Sequence, residues 1–253
     1  MNKPITKAKP AFTRTDWDAD ADDDEIRRTK IHNVLQYTKG GKKGYAARDF
    51  PAGYHTLEVD GTVFEGQRNP RERLDLVPLD FAGKSVLDIG CNQGGMTFAL
   101  RDRVKWAVGV DFDPKMINAC NALRNHLGGS AHLDFYVFDI DRDPHDLLRD
   151  FLPEDRVDVV FLLSVCMWVD RWKPLIAFCS RIAETMVFES NGSEKVQENQ
   201  LRYLESCYSS VTFLGGKKPD DARKRRNRPA PTRHRPAGRH RSAAALVPGR
   251  RRG

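Results

Sequence analysis

Nowhere in its 253 residues does this chain gather the ~18 to 20 consecutive apolar residues that cross a bilayer, so no membrane helix is expected. The opening MNKPITKAKPAFTRTD has no apolar run either and is not expected to act as a secretory signal. Paired cysteines are missing. The five present, Cys91, Cys120, Cys166, Cys179 and Cys207, are odd in number, and none stands in a C-x-x-C pair. That pattern argues against a disulfide framework and a cysteine zinc site, predicts no metal, and suits reduced thiols in the cytoplasm. Cys166, inside an apolar run, reads as a small core residue and not as a nucleophile. Two common phosphate-binding spacings are absent too. VLDIGCNQGG, residues 86–95, has neither the G-x-G-x-x-G of a dinucleotide site nor the G-K-[ST] ending of a triphosphate loop.

An excess of positive charge is found at one end alone. The chain is +7 overall, yet residues 217–253 hold 14 Lys and Arg against 2 acids, which leaves residues 1–216 at −5. Net charge therefore gives no argument for a nucleic-acid surface on the folded part. With 40% hydrophobic and 9% aromatic residues, the chain can build one sizeable α/β core with extensions.

Residues 1–22 are polar, run into the acidic stretch DADADDD, and are expected to form a disordered arm. An extension is read over 23–80. It comprises an amphipathic helix from Asp23 to Thr38, a β-hairpin in YHTLEVDGTVFEG around Asp60-Gly61, and a short helix in NPRERLDLVPLD. Residues 81–215 then alternate regularly. KSVLDIG, WAVGVDF, LDFYVFDI, VDVVFLLSV, TMVFES and SSVTFLG read as strands. Helices are read between them, the first from Gly94 to Val104 and the second opened by Pro114. This alternation predicts a doubly wound, mostly parallel sheet. Residues 216–253 are rich in Arg, Pro, Ala and Gly, lack apolar periodicity, and are expected to be a disordered basic tail.

In such a sheet, ligands sit at the carboxyl ends of the strands where the strand order reverses. The glycine turn 90–95 is one wall of that crevice; Gly94 and Gly95 are read as letting backbone approach a ligand. Asp88 ends the first strand and would welcome a cationic amine, whereas a pyrophosphate would not. Asp111 ends the next strand, at the ~20-residue offset where an acid takes a ribose diol. Asp113 competes for that role but also suits the start of its helix. Asp139 ends the third strand, placed to accept from an adenine amino group. One cofactor joins a ribose, an adenine and a cationic amine without phosphate: S-adenosylmethionine.

The stretch from about 84 to 190 resembles the class I S-adenosylmethionine-dependent methyltransferases. VLDIGCNQGG is similar to their first motif, GVDFDPKMINAC to the second, FYVFDI to the third and VDVVFLLSVCMWV to the strand of the fourth. The resemblance implies a Rossmann-like methyltransferase fold. It implies a methionine moiety lined by Asp88, Gly90, Cys91, Asn92 and Gly94, a ribose held by Asp111 next to Phe112, and an adenine framed by Asp139 and Ile140. Ser164 and Arg68 complete the expected cofactor wall, Arg68 facing the cofactor carboxylate. Upstream, YHTLEVDG followed by GKSVLDIG is similar to the lead-in of enzymes related to those that finish the wobble-uridine modification of transfer RNA.

Methyl transfer from a sulfonium is an in-line displacement in which positioning supplies much of the acceleration. A small-molecule acceptor is the leading expectation. An RNA acceptor is the alternative, together with a protein that binds the cofactor without catalysis. Glu189, at the end of an apolar strand, and His55, in the hairpin region, are the candidate catalytic acid and base. Trp168 and Trp172, four residues apart, would share a helix face or form an aromatic wall. Family members end their sheet with an antiparallel seventh strand beside the fifth. None is expected after SSVTFLG, because SAAALVPG is short, Ala-rich and stopped by proline. An open sheet edge follows from that reading, with either an anion-binding tail or a reading frame lost near residue 216 as its cause.

Overall fold

Apolar residues four apart decide how the N-terminal extension attaches. In the computed structural model, which describes residues 23–39, 50–59, 61–127, 130–215 and 244–248, α1 (Asp23–Thr38) buries Ile31 and Leu35. They pack with Leu57, Val59 and Phe64 of the extension and with Leu123 and Leu127 of the main domain. β1 (Gly53–His55) leads into the hairpin of β2 (Leu57–Val59) and β3 (Thr62–Phe64), whose register pairs Leu57 with Phe64 and Val59 with Thr62. β4 (Gly66–Arg68) then returns to pair in parallel with β1, His55 opposite Arg68. α2 (Pro70–Leu74) starts at Asn69, whose side-chain oxygen accepts from the Arg71 N–H, with proline in the first turn.

The main domain runs β5 (Ser85–Ile89), α3 (Gly95–Ala99), β6 (Trp106–Asp111), α4 (Pro114–His126), β7 (Leu133–Val137), α5 (Leu147–Asp150), β8 (Val157–Leu163), α6 (Trp172–Ile182), β9 (Ala183–Glu189), α7 (Glu194–Cys207) and β10 (Thr212–Gly215). Five strands are parallel, in the order β7-β6-β5-β8-β9, so the order reverses between β5 and β8. Alternate residues feed two cores. Val108, Val110, Val160 and Leu162 face Leu175, Phe178 and Ile182 of α6, while Val159 and Phe161 face Met96 and Leu100. A sheet covered on both faces needs near-continuous apolar strands, and β5, β6 and β8 have them. The doubly wound, mostly parallel fold read from the sequence is the fold observed.

Two elements differ from expectation. α3 stops at Ala99, well short of Val104, and the chain continues in turns, with the Arg101 N–H donating to Phe98 O at 3.2 Å and the Arg103 N–H to Leu100 O at 2.9 Å. Arg101 O is hydrogen-bonded to the His132 ring at 2.7 Å, and Arg103 O accepts from the Gly83 N–H at 2.8 Å. The second difference is the sheet edge. Residues 244–248 are not tail but a strand, β11 (Ala244–Pro248), antiparallel to β9 with Ala244 opposite Glu189 and Pro248 opposite Thr185. β10 pairs antiparallel with its other side, giving the order β10-β11-β9. The expectation of an absent seventh strand is therefore corrected, and with it the ground for a lost reading frame. The strand's proline sits at its last position, the end of the ladder, where a missing N–H costs little. The arm 1–22 and the rest of the tail, 216–243 and 249–253, lie outside the described residues.

Candidate active site

The glycine turn is bound to the neighbouring strand and to the extension. Gly90 turns the chain at φ 77°, where a Cβ would also lie 2.6 Å from Val165 Cγ2. The N–H groups of Gly90 and Cys91 both donate to Val110 O, at 2.8 and 3.0 Å. Cys91 is buried, which pushes its thiol up, away from thiolate chemistry. Gly94 leads into α3 beneath the rings of Phe98 and Phe135. At Gly95 a Cβ would come within 2.3 Å of His55 Cβ. Gly95 thus permits a close approach of His55 from the extension. Gln93, which sequence reasoning missed, completes the link. Its Oε1 accepts from the Tyr54 N–H at 3.1 Å, and its Nε2 donates to the Thr38 hydroxyl at 2.5 Å.

The three acids lie at the carboxyl ends of adjacent strands. Asp88 is 3% exposed and its Oδ2 accepts from the Thr97 hydroxyl at 3.1 Å. Burial pushes its carboxyl up to about 7 against the opposing Thr97 hydrogen bond, with Asp111 adding to the rise. Asp111 accepts from the Asn92 N–H at 2.9 Å and the Asp113 N–H at 3.0 Å, so it ties the turn to β6. Asp113 is occupied otherwise: its side chain accepts from the Lys115 N–H at 2.9 Å and caps α4. Asp139 accepts from the Asp141 N–H at 3.0 Å, and Ile140 is buried beside it. The Phe138 N–H donates to Asp111 O at 2.9 Å and so joins the ends of β7 and β6. Phe112, by contrast, is exposed.

A second cluster joins the extension to the ends of β8 and β9. Glu189 is buried; its Oε2 accepts from Arg73 at 2.5 Å and its Oε1 from the Ser164 hydroxyl at 2.7 Å. Side-chain exposures of 10% for Arg73 and 9% for Glu189 place this ion pair out of bulk water. Ser164 sits at φ 61°, an unusual backbone for a serine, and its N–H donates to Glu189 O at 2.9 Å. Asn191 donates to Ser164 O at 2.5 Å. His55 is 4% exposed and neither ring nitrogen has a hydrogen-bond partner. Burial, helped by the charges of Arg73 and Arg68, holds its imidazole well below the ordinary 6.5. Arg68 is buried with its guanidinium 5.4 Å from the Tyr54 ring centroid. Arg73 was overlooked in the sequence; an arginine in a charged run such as PRERL gives no signal of burial. The two tryptophans do not share a face. Trp168 lies in the loop before α6 and is 72% exposed, while Trp172 opens that helix and meets Tyr203 edge-on at 5.5 Å.

Known proteins agree with this architecture. Residues 87–185 match the model of a family described as a methyltransferase domain. The ribosomal protein L11 methyltransferase of Serratia proteamaculans (strain 568) is 42% identical over 76 residues, 28% of this chain and 24% of that protein. The U6 snRNA methylphosphate capping enzyme Amus of Drosophila melanogaster is 33% identical over 113 residues, 38% of this chain and 36% of that protein. The chain thus spans about a quarter to a third of the length of these relatives. The N-terminal domain of EvdMO1, crystallised in the presence of SAH and D-fucose, superposes with a TM-score of 0.60 at 11% identity, over 91% of this chain and 98% of that one.

The family match over residues 87–185 and the doubly wound strand order together support a class I S-adenosylmethionine-dependent methyltransferase domain. Among the described residues no helix is long and apolar enough to cross a membrane, and no cluster of metal-ligating side chains occurs.

Proposed function

We propose that this chain binds S-adenosylmethionine between the glycine turn and the acids of β5, β6 and β7, and transfers its methyl group to a small-molecule acceptor at the ends of β8 and β9. The observation that carries the reading is Asp88: a buried carboxylate held near 7 at the strand end, next to the glycine turn. An ammonium beside it would offset the cost of its burial, which suits the amino group of the cofactor. Asp111 would take the ribose hydroxyls, and Asp139 with Ile140 the adenine. Cys91, Asn92 and Gly94 would line the turn, with Phe112 beside the ribose. When bound, the cofactor supplies an electrophilic methyl group on a sulfonium. The protein orients the two reactants and excludes water from the buried cluster around Glu189 and His55.

The acidic balance of residues 1–216 supports a small acceptor over a polynucleotide. The similarity to an snRNA methylphosphate capping enzyme favours RNA as the second reading. Transfer of label from the cofactor, run in parallel on a metabolite extract and on total RNA, decides between them. Binding of the demethylated cofactor with no transfer to either would leave a cofactor-binding protein without catalysis.

A further inference from the structure

The cluster beside the glycine turn gathers charged groups around a buried imidazole that has no hydrogen-bond partner. Arg68 brings a buried guanidinium and Arg73 one that is 10% exposed, and His55 brings an imidazole with neither nitrogen satisfied. The acids facing them are Glu189, both of whose oxygens already accept hydrogen bonds, and Asp88, which is bonded to Thr97. Buried polar groups are ordinarily paired, so an unpartnered imidazole in a charged cluster marks a place for a ligand atom.

Within the cluster neither Glu189 nor His55 is a good general base, and in the reading above Asp88 is taken by the ammonium of the cofactor. Glu189 is committed to Arg73 and Ser164. His55 lies among positive charges and in a dry site, which make it a poor proton acceptor though still an N–H donor. An amine or alcohol acceptor would need a proton removed during transfer. An anion needs none, and guanidiniums would attract it where they would repel an ammonium.

We propose that the methyl acceptor is an oxyanion, the oxygen of a phosphate or carboxylate group, seated between Arg73 and His55 beside the Glu189–Ser164 pair. The proposal rests on the methyltransferase reading above. In the step, an oxygen lone pair forms the O–CH3 bond while the S–CH3 bond breaks and its electron pair returns to sulfur. The products are a methyl ester and a neutral thioether, and no proton moves.

The test uses the full chain saturated with S-adenosylhomocysteine and titrated calorimetrically at constant ionic strength with inorganic phosphate, sodium acetate or chloride. Phosphate or acetate should bind the complex at least about tenfold more tightly than chloride, and the preferred anion names the group. Arg73→Gln with Glu189→Gln, which removes both charges together, should weaken that anion about tenfold, with S-adenosylhomocysteine affinity held within about threefold. His55→Phe should weaken it several-fold. If S-adenosylhomocysteine binds but neither anion exceeds chloride, the proposal is wrong and the cofactor reading stands. If an anion competes with S-adenosylhomocysteine, the cluster holds the cofactor carboxylate and the proposal is again overturned. Failure of S-adenosylhomocysteine to bind overturns the proposed function itself, and this inference with it. Should the double variant not fold, the comparison of anions on the unmodified protein still decides.

Discussion

The two halves of the crevice are assembled in different ways. The half around the glycine turn comes from three short segments, each at the end of a strand: 88–95, 111–113 and 139–140. The half around Glu189 draws single residues from β1, β4, α2, the loop after β8 and the end of β9: His55, Arg68, Arg73, Ser164 and Glu189. The first half holds carboxylates that accept from backbone N–H groups or, at Asp88, from a hydroxyl. The second holds a buried ion pair, a second guanidinium and an unsatisfied imidazole. Contiguous sites show in sequence as motifs. Dispersed sites become sites only when the extension folds down onto the turn.

If the second half is a prebuilt charged cluster, breaking its ion pair should have the largest effect. Arg73→Ala leaves Glu189 buried without its counter-charge and should cost about 3 to 5 kcal/mol of stability in urea unfolding. Adding Glu189→Gln should recover a large part of that loss. A loss under about 1 kcal/mol for Arg73→Ala would show that water reaches the pair, and the contrast between the halves would fail.

Gly95→Ala tests the contact between them. The new methyl would meet His55 Cβ, which cannot swing away as the end of a long side chain can. Destabilisation at the upper end of about 1 to 3 kcal/mol is expected, with weaker S-adenosylhomocysteine binding. In the cofactor half, Asp111→Ala should weaken that binding by about 1 to 3 kcal/mol, since it removes both the proposed ribose partner and the anchor of the Asn92 N–H.

The pH dependence separates the halves further. The Asp88 carboxyl lies near 7 in the folded protein, above its ordinary 3.8. The folded state therefore binds a proton that the unfolded state has released. Stability without cofactor should fall as pH rises from about 4 to about 7 and level off above. Cofactor affinity should run the other way and drop up to about tenfold per pH unit below 7, because the ammonium needs the ionised acid. Asp88→Asn should flatten both profiles. The smallest effect belongs to Asp113→Ala, which removes a helix cap: about 1 kcal/mol of stability, with cofactor affinity unchanged. A larger change in affinity there than at Asp111 would reverse the two assignments.

Read alone, the residues of this chain determine the alternation of strands and helices, the doubly wound sheet and the glycine turn with its acids. Each is a local matter: apolar runs of strand length, helix periodicity, and acids a fixed number of residues from a glycine. Local pattern does not reach pairings between distant segments. AALVP carries too weak a signal to read as a strand by itself. It becomes one because β9 and β10 each present an edge of unpaired N–H and C=O groups, and a short extended segment satisfies both. The Arg73–Glu189 pair spans 116 positions and is invisible in a run of charges that ordinarily faces solvent. Nothing in the sequence around His55 signals burial, and it is Gly95 that gives its ring a place to pack. Burial is what turns these ordinary polar residues into a site, and only the tertiary structure decides burial, because it decides which groups lose their water.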